Sequence, residues 1–210
     1  MPAEASNVIE LALDPSVEPP EDALSERILD AALALAAAFG LRNLTIDDVA
    51  RRARVGRMTV YRRFGSKQRL VDALTVRESR RCLAELDAAA PVDAPAEDQV
   101  VAGFVTALRI AREHPLLNRL ARLEPETVLE AFTADGSRLF ATMRSFAAAR
   151  MRAAQAAGVL GPVPVDEVAE LGVRLCISFV LIQETALPIE DEDAARGIAR
   201  RLLLPLLAAP

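Results

Sequence analysis

The sequence predicts an all-α protein. Its 210 residues are 52% hydrophobic and only 4% aromatic, with no tryptophan, so alanine and leucine supply most of the apolar surface. Alanine and leucine favour helices, whereas sheets draw on β-branched and aromatic residues. Apolar residues recur at three- and four-residue spacing, which is the period of a buried helix face. The high apolar content excludes a chain that is disordered throughout.

The N-terminal 39 residues predict an arm followed by a helix. Residues 1–20 hold prolines and acidic side chains and no basic ones, so we expect a flexible acidic arm. A helix is predicted over 21–39, and Gly40 is expected to end it because glycine adopts the left-handed conformation at little cost. Its buried face should contain Ile28, Ala32, Leu35 and Phe39.

Two short helices and the start of a long one are predicted next. The TIDD sequence at Thr45 is typical of a capping box, which places a helix start there, with Val49 and Ala53 on its inner face. The pattern breaks at 54–56, and a helix over 57–64 should bury Val60 and Phe64. Ser66 is expected to cap a long fourth helix that begins at Lys67.

The rest of the chain predicts further helical segments. A linker is expected after Leu86, and helical periodicity resumes near Glu97, with breaks at 114–115 and 124–125. A long helix is predicted over 137–157, and Asp166 is expected to cap the next one, which should reach Ala186. The final helix is predicted over 192–207.

The basic residues are concentrated in one segment of an acidic protein. The formal charge of the whole chain is −5, but residues 42–69 contain nine basic and two acidic side chains, a net +7. Solvated helix faces normally mix both signs. An unmixed basic block of this length indicates a surface that binds a polyanion.

The two short helices predict a helix-turn-helix, whose second helix enters the major groove of DNA. With Val60 and Phe64 turned inward, Arg57, Met58, Thr59, Tyr61 and Arg62 should face outward. Arginine binds guanine through two hydrogen bonds, and threonine and methionine contact thymine methyl groups. Thr45 and Lys67 are expected at helix N-termini, which bind phosphate.

These residues resemble the N-terminal domain of the tetracycline-repressor-like (TetR) transcriptional regulators. The resemblance covers about 21–74 and is carried by Gly40 with the apolar residue after it, TIDDVA, the VxxxTVYxxF run over 55–64, and Ser66-Lys67. It implies three DNA-binding helices over 21–70 and a C-terminal domain over 71–210 that dimerises and binds a small effector.

By position, the resemblance implies a set of DNA-facing side chains. They are Thr45, Arg57, Met58, Thr59, Tyr61, Arg62, Arg63 and Lys67. Four positions depart from the family pattern: Arg54 replaces the usual glycine, Gly56 the usual serine, Met58 the usual glycine and Arg63 the usual histidine or tyrosine. These changes add positive charge and alter the base-reading face, so the resemblance does not give the operator sequence. Arg54 is expected in a strained backbone conformation.

The C-terminal helices carry apolar residues on more than one face. One set predicts a four-helix interface between two copies of the chain, with a buried monomeric core as the alternative; it consists of Leu171, Leu175, Ile182, Ile198, Leu202 and Leu206. A second set predicts an apolar effector pocket, with ordinary core packing as the alternative; it consists of Phe104, Leu108, Phe140, Met143, Phe146, Phe179 and Gln183.

Other function classes find little support in the sequence. Cys82 and Cys176 match neither zinc spacing nor a disulfide framework, which favours two buried thiols in a cytoplasmic protein. We expect no metal, no cofactor, no catalytic residues and no membrane span, since the longest uncharged stretch is shorter than the roughly 20 residues a span needs. His114 precedes a proline, so a helix-end role is favoured over catalysis. A helical adaptor that binds protein, and an enzyme without DNA binding, remain the alternatives; the adaptor would leave the basic block unexplained.

Overall fold

A computed structural model describes residues 22–91, 93–126, 129, 133, 138–182 and 184–207. It confirms the all-α prediction, since the described residues form helices and no strand. The helices are α1 (Ala23–Phe39), α2 (Ile46–Ala53), α3 (Arg57–Phe64), α4 (Lys67–Ala89), α5 (Ala96–Glu113), α6 (Pro115–Leu123), α7 (Arg138–Ala156), α8 (Val165–Leu181) and α9 (Glu192–Ile198).

The described residues divide into two compact units. The first contains 22–81 together with α6, and the second contains 82–113 and 138–207. The first unit therefore extends past residue 70, the end of the predicted DNA-binding domain. It includes α6 because Leu116 is 5% exposed in the same apolar core as α1 to α4.

The core of the first unit fixes the helix-turn-helix. Ile28, Val49 and Val60, one from each of the first three helices, are fully buried. Leu70 and Leu74 join them from α4 and are also fully buried. A buried aliphatic side chain of this kind contributes about 1.5–3 kcal/mol by leaving water. The short helices α2 and α3 are therefore held by packing rather than by their intrinsic stability.

The prediction for Phe39 is wrong. Its side chain is 59% exposed, although Ile28, Ala32 and Ala36 on the same helix are fully buried. The buried stripe of α1 passes through Ala36, and Phe39 lies beside it in the final turn. Gly40 then ends the helix with φ of 86°. None of the elements that the structure describes buries the Phe39 ring.

A buried charge network ties α4 to α1. Arg77 is 4% exposed, and its guanidinium contacts Glu26 at 3.1 Å, Asp30 at 2.9 Å and Glu78 at 2.8 Å. His114 caps α6 by accepting from the backbone N–H of Leu117, and its Nε2 lies 3.1 Å from Glu78 Oε2. The helix-end prediction for His114 is confirmed.

The second unit contains an apolar core around Phe104, which is formed by side chains of α5, α8 and α9. The long-helix prediction is confirmed with ends at Arg138 and Ala156. The cap prediction for Asp166 is wrong: α8 begins one residue earlier, with Pro164 before it and no side-chain cap. Asp166 instead accepts two hydrogen bonds of 2.7 Å from Arg152.

Helix α8 is also shorter than predicted, because Ile182 is extended at φ −113° and ψ 92° and ends it before Ala186. The last helix starts as predicted, capped by Asp191, but becomes a π-helix over Ala199–Leu203 and a 3-10 helix over Leu204–Leu207. The linker after Leu86 is shorter than expected, because α4 runs on to Ala89. Across the described ranges, none of the helices combines the length and apolarity needed to cross a bilayer.

Candidate nucleic-acid interface

The first helix of the pair is positioned by its cap. Thr45 Oγ1 accepts from the backbone N–H of Asp48 at 3.1 Å, and its hydroxyl donates to Asp48 Oδ2 at 2.6 Å. The predicted cap is confirmed, although the carboxylate reaches the threonine hydroxyl instead of the backbone. The Thr45 side chain is exposed at the start of α2, where a phosphate would meet the positive end of the helix dipole.

The turn between α2 and α3 depends on an unusual arginine. Arg54 adopts the left-handed conformation, with φ 54° and ψ 48°, and its backbone N–H donates to Arg51 O. It is the one non-glycine with positive φ in the part of the chain that the structure describes. The predicted strain is confirmed. Because an L side chain in this region costs about 1–2 kcal/mol, Arg54 stores strain in the turn that sets the angle of α3.

Helix α3 buries one face and presents the other. Val60 is fully buried and Phe64 is 6% exposed, as the spacing predicts. Met58 is 74% exposed, which is a costly position for an apolar side chain unless a partner covers it. Arg57, Arg62 and Arg63 are exposed, and Thr59 and Tyr61 are partly exposed. The whole predicted reading face of α3 is thus accessible.

Arg57 is held in place by a carboxylate on one neighbouring residue and by an aromatic side chain on another. Its guanidinium contacts Asp47 Oδ2 at 3.1 Å and donates to the Tyr61 hydroxyl at 3.4 Å. These interactions, Tyr61 first and then the Asp47 charge, raise the pKa of Arg57 above its ordinary value. The side chain is therefore a permanent cation that is directed along the exposed face of α3.

Two predicted contacts already have intramolecular partners. Arg63 contacts Asp22 Oδ2 at 2.5 Å, and Asp22 also caps α1 by accepting from Leu24 and Ser25. The hydrogen bond from the Ser25 hydroxyl lowers the pKa of Asp22, with Arg63 contributing. Lys67 donates from Nζ to Arg42 O at 2.8 Å. Arg63 and Lys67 would have to exchange these partners to bind DNA.

All nine basic side chains of 42–69 are exposed. We call them the basic surface: Arg42, Arg51, Arg52, Arg54, Arg57, Arg62, Arg63, Lys67 and Arg69. Arg51, Arg57 and Arg63 form ion pairs, with Asp48, Asp47 and Asp22, whereas the other six form none with the described residues. The position-by-position resemblance omitted Arg42, Arg51, Arg52, Arg54 and Arg69, although the charge count had included them.

Residues 28–74 match the sequence profile described as bacterial regulatory proteins of the tetR family. They contain the capped helix α2, the turn at Arg54 and the exposed face of α3. The chain carries the DNA-binding domain of the TetR family over these residues. It is a transcriptional regulator with a helix-turn-helix DNA-binding domain, as the resemblance implied.

Relatives and solved structures match this chain over most of its length. Two uncharacterized HTH-type transcriptional regulators of Mycobacterium tuberculosis, from strains CDC 1551 and H37Rv, are each 26% identical over 87% of this chain and 85% of their own. Salmonella enterica GusR has a TM-score of 0.64 at 20% identity, covering 93% of this chain and 98% of its own. The TetR-family repressor QsdR of R. erythropolis has a TM-score of 0.53 at 23% identity, covering 91% and 99%.

The predicted effector residues of this TetR-family protein do not form one cluster. The rings of Phe104 and Phe179 pack edge to face, with centroids 6.1 Å apart and an interplanar angle of 72°, in the core that also buries Leu108. Phe140 instead lies 4.8 Å from the guanidinium carbon of Arg174. Met143 and Phe146 are half-buried in α7, and Gln183 lies outside the described residues. The pocket therefore stays a prediction.

Some of the predicted dimer residues are exposed, and one is buried. Leu171, Leu175, Ile182 and Leu202 are exposed by 37–63%. Ile198 is 2% exposed in the core of its own unit, so its assignment to an interface is wrong. The face of α9 that carries Ile198 packs on α5, so Ile198 has almost no exposed surface that a partner could contact. The Leu206 side chain lies outside the described residues.

Cys82 and Cys176 are both in the thiol form. In the described ranges no group of histidine, cysteine and acidic residues could hold a metal ion. Burial raises the pKa of the Cys176 thiol to about 11, which disfavours the reactive thiolate. Cys176 therefore acts as a small apolar side chain beside Phe104.

Proposed function

We propose that this TetR-family regulator is a homodimeric repressor that binds an inverted-repeat operator and releases it when a small apolar effector binds. The observation that carries the DNA-binding geometry is the exposed, unmixed basic surface around α3. Its reading residues would be Arg57, Met58, Thr59, Tyr61 and Arg62, with Thr45, Arg63 and Lys67 on phosphates. Arginine supplies bidentate donors for guanine, and Met58 and Thr59 supply methyl groups for thymine.

The basic surface also supports a strong electrostatic component of binding. Each phosphate that a cation neutralises releases a counterion, so log K falls with log salt by about 0.9 for each contact. Of the six basic side chains without an ion pair within the described ranges, the five arginines can contact phosphate without breaking an internal bond. Arg63 and Lys67 must first give up Asp22 and Arg42 O.

Homodimer formation is supported by the exposed face of α8. Leu171 and Leu175 are one turn apart and are 46% and 37% exposed, and Ile182 beyond the helix end is 63% exposed. An apolar stripe of this kind on a soluble domain marks an interaction surface. A two-fold axis through it would present α3 twice, as a palindromic operator requires.

Repression and effector release are supported less directly. QsdR, which shares the fold, is described as a transcriptional repressor. The aromatic side chains around Phe104 and Phe179 in the second unit provide apolar surface that a small molecule could contact after a modest rearrangement. An effector can release DNA only if it binds the DNA-free arrangement more tightly than the DNA-bound one.

The test is binding of the purified full chain to duplex DNA over a range of salt. We expect affinity to fall by about 10³–10⁵ between 50 and 200 mM salt if six to ten phosphates are contacted. Arg62→Ala should lower the affinity, and Arg122→Ala, an exposed arginine outside the basic surface, should not. Affinity that is independent of salt would contradict the proposal.

A further inference from the structure

A groove lies on the first unit, beside the basic surface. It has a volume of about 760 Å³ and is formed by the end of α1, the outer side of α2 and Arg119 of α6. Leu35, Phe39 and Leu44 give it an apolar side. The other side holds Arg51, Arg52 and Arg119 together with Asp48, which pairs with Arg51 at 3.2 Å. The Phe39 ring is 59% exposed, and no element in the described part of the chain covers it.

The arginines of the groove differ in how far they are already paired. Arg119 donates from Nη1 to Ala38 O at 2.9 Å and forms an ion pair of 3.8 Å with Glu124, while its buried Nε has no hydrogen-bond partner in the described part of the chain. Arg52 is exposed and forms no ion pair with any described residue. Its guanidinium can therefore donate to a bound anion without breaking an internal ion pair. The groove therefore fits a ligand that is apolar on one side and anionic on the other.

The chain carries a segment with this chemistry. Residues 1–21 contain Glu4, Glu10, Asp14, Glu18 and Glu21 and no basic residue. In the middle is the run Val8-Ile9-Glu10-Leu11-Ala12-Leu13, which combines aliphatic side chains with a carboxylate. Charge and apolarity thus match the two sides of the groove.

The segment joins the unit close enough to reach the groove. It leads into Asp22, which caps α1 and contacts Arg63 of the recognition helix. The 17 residues of α1 separate Asp22 from Phe39 by about 25 Å along the helix axis. The nine residue-to-residue steps from Leu13 to Asp22 span up to about 30 Å when extended, so Leu13 can reach Phe39.

We propose that the acidic N-terminal segment docks in this groove and competes with DNA. Leu11 and Leu13 pack against Phe39 and Leu35, while Glu10 and Asp14 pair with Arg52 and Arg119. A docked segment covers Thr45, which also lines the groove and which the proposed function assigns to a phosphate. The competition with DNA therefore rests on that proposed function, whereas the docking itself does not.

A tethered segment needs only weak intrinsic affinity. Because the connection must be nearly extended to span this distance, its effective concentration is lower than the millimolar value of a slack linker. A segment whose intrinsic dissociation constant lies about three- to tenfold below that effective concentration is docked most of the time and weakens DNA binding by about three- to tenfold.

The test uses three variants of the full chain and one control. The first, Leu11→Ser with Leu13→Ser, keeps every acidic residue of the segment. The second, Phe39→Ser, changes the exposed groove ring, and the third combines these three changes. The control is Leu123→Ser, a leucine that is 63% exposed on the same unit and does not line the groove. Operator affinity and amide hydrogen exchange over residues 8–13 are measured for each.

We expect the first two variants each to tighten DNA binding three- to tenfold, and the combination to tighten it no further, because both remove one contact. Amides 8–13 should exchange more slowly in the parent than in Phe39→Ser, and the control should behave as the parent does. The exchange measurement needs no DNA, so it tests docking even if the proposed DNA binding fails.

Four results would overturn the proposal. Amides 8–13 that exchange at unfolded rates in the parent show that the segment does not dock. If a further variant, with the five acids of the segment changed to amides, is the only one that binds DNA more tightly, and does so only at low salt, the segment acts by diffuse repulsion of DNA. A changed oligomeric state in Phe39→Ser assigns the groove to a second copy. A carboxylate amphiphile that co-purifies with the parent and is lost in Phe39→Ser assigns it to that ligand.

Discussion

The guanidinium of Arg57 lies 5.4 Å from the centroid of the Tyr61 ring, one turn further along α3, and its other side contacts Asp47. The ring and the carboxylate together limit the rotamers of Arg57 before DNA arrives. A side chain that is already oriented loses less conformational freedom on binding. Asp47 and Tyr61 would thus position Arg57 for the proposed base contact.

Arg57→Ala should relax base preference at one position of each half-site. A bidentate arginine–guanine contact contributes about 1–3 kcal/mol of discrimination, and alanine retains none of it. Competition between operators that differ at single positions measures the loss. Equal weakening on every operator would assign Arg57 to phosphate instead.

Lys67→Ala should weaken binding to all duplexes alike. Loss of one phosphate contact reduces the steepness of the log K against log salt plot by about 0.9. Titrations at several salt concentrations on operator and unrelated DNA measure both effects. Gln68→Ala, the exposed neighbour, is the control. A change in base preference in Lys67→Ala would contradict its assignment.

Leu175→Asp should dissociate the proposed dimer. A carboxylate at this partly exposed α8 position can stay hydrated in a monomer but must be desolvated in an apolar interface. Sedimentation equilibrium measures the dissociation constant, which we expect to rise at least tenfold. Leu123→Asp introduces the same charge at an exposed leucine of the first unit and should leave dimerisation unchanged. Equal behaviour of the two variants would locate the interface elsewhere.

Arg54→Gly should stabilise the first unit by about 0.5–1 kcal/mol. Glycine relieves the left-handed strain, and part of that gain is lost to the greater freedom of glycine in the unfolded chain. Urea denaturation followed by circular dichroism measures the change. Arg54→Ala removes the same charge and retains the strain, so it should give no such gain. Stabilisation by alanine equal to that by glycine would show that charge repulsion, rather than backbone strain, is relieved.

Glu78 should make folding depend on acid pH. Burial alone would raise its pKa, but the hydrogen bond with His114 and the charge of Arg77 outweigh burial and lower the pKa below its ordinary value. The folded state therefore binds this proton less readily than the unfolded state. The stabilisation is complete above the unfolded pKa and is lost as pH falls through the lower, folded pKa.

The Glu78→Gln variant isolates this contribution. It should be less stable than the parent at neutral pH and should lose part of the decline in stability at acid pH. The free energy of unfolding in urea, measured from pH 3 to 7, gives both curves. Parallel curves for the two proteins would contradict a role for Glu78 in the acid dependence.

Local signals in the sequence predicted the helix-turn-helix well. The cap at Thr45, the inward pair Val60 and Phe64, and the unusual turn at Arg54 all depend on neighbouring residues, and all are confirmed. The errors occur where distant contacts decide. Phe39 satisfies the spacing of a buried face, but the buried stripe of α1 ends at Ala36, about one turn before it.

The same reasoning explains the other misses. Asp166 has the chemistry of a helix cap, but α8 begins at Val165 and the carboxylate is drawn to Arg152. Ile198 lies on an apolar stripe that suits either a core or an interface, and only the packing of α9 on α5 separates these. The Arg77 network joins residues 51 and 47 positions apart, which local sequence patterns do not detect.

The most direct measurement is selection of bound sequences from random duplexes by the folded full chain. We predict enrichment of an inverted repeat whose half-sites are separated by about one turn of DNA, 10–10.5 base pairs, or more, with guanine at the position that Arg57→Ala relaxes. Recovery of no inverted repeat by a protein shown to be folded would contradict the account.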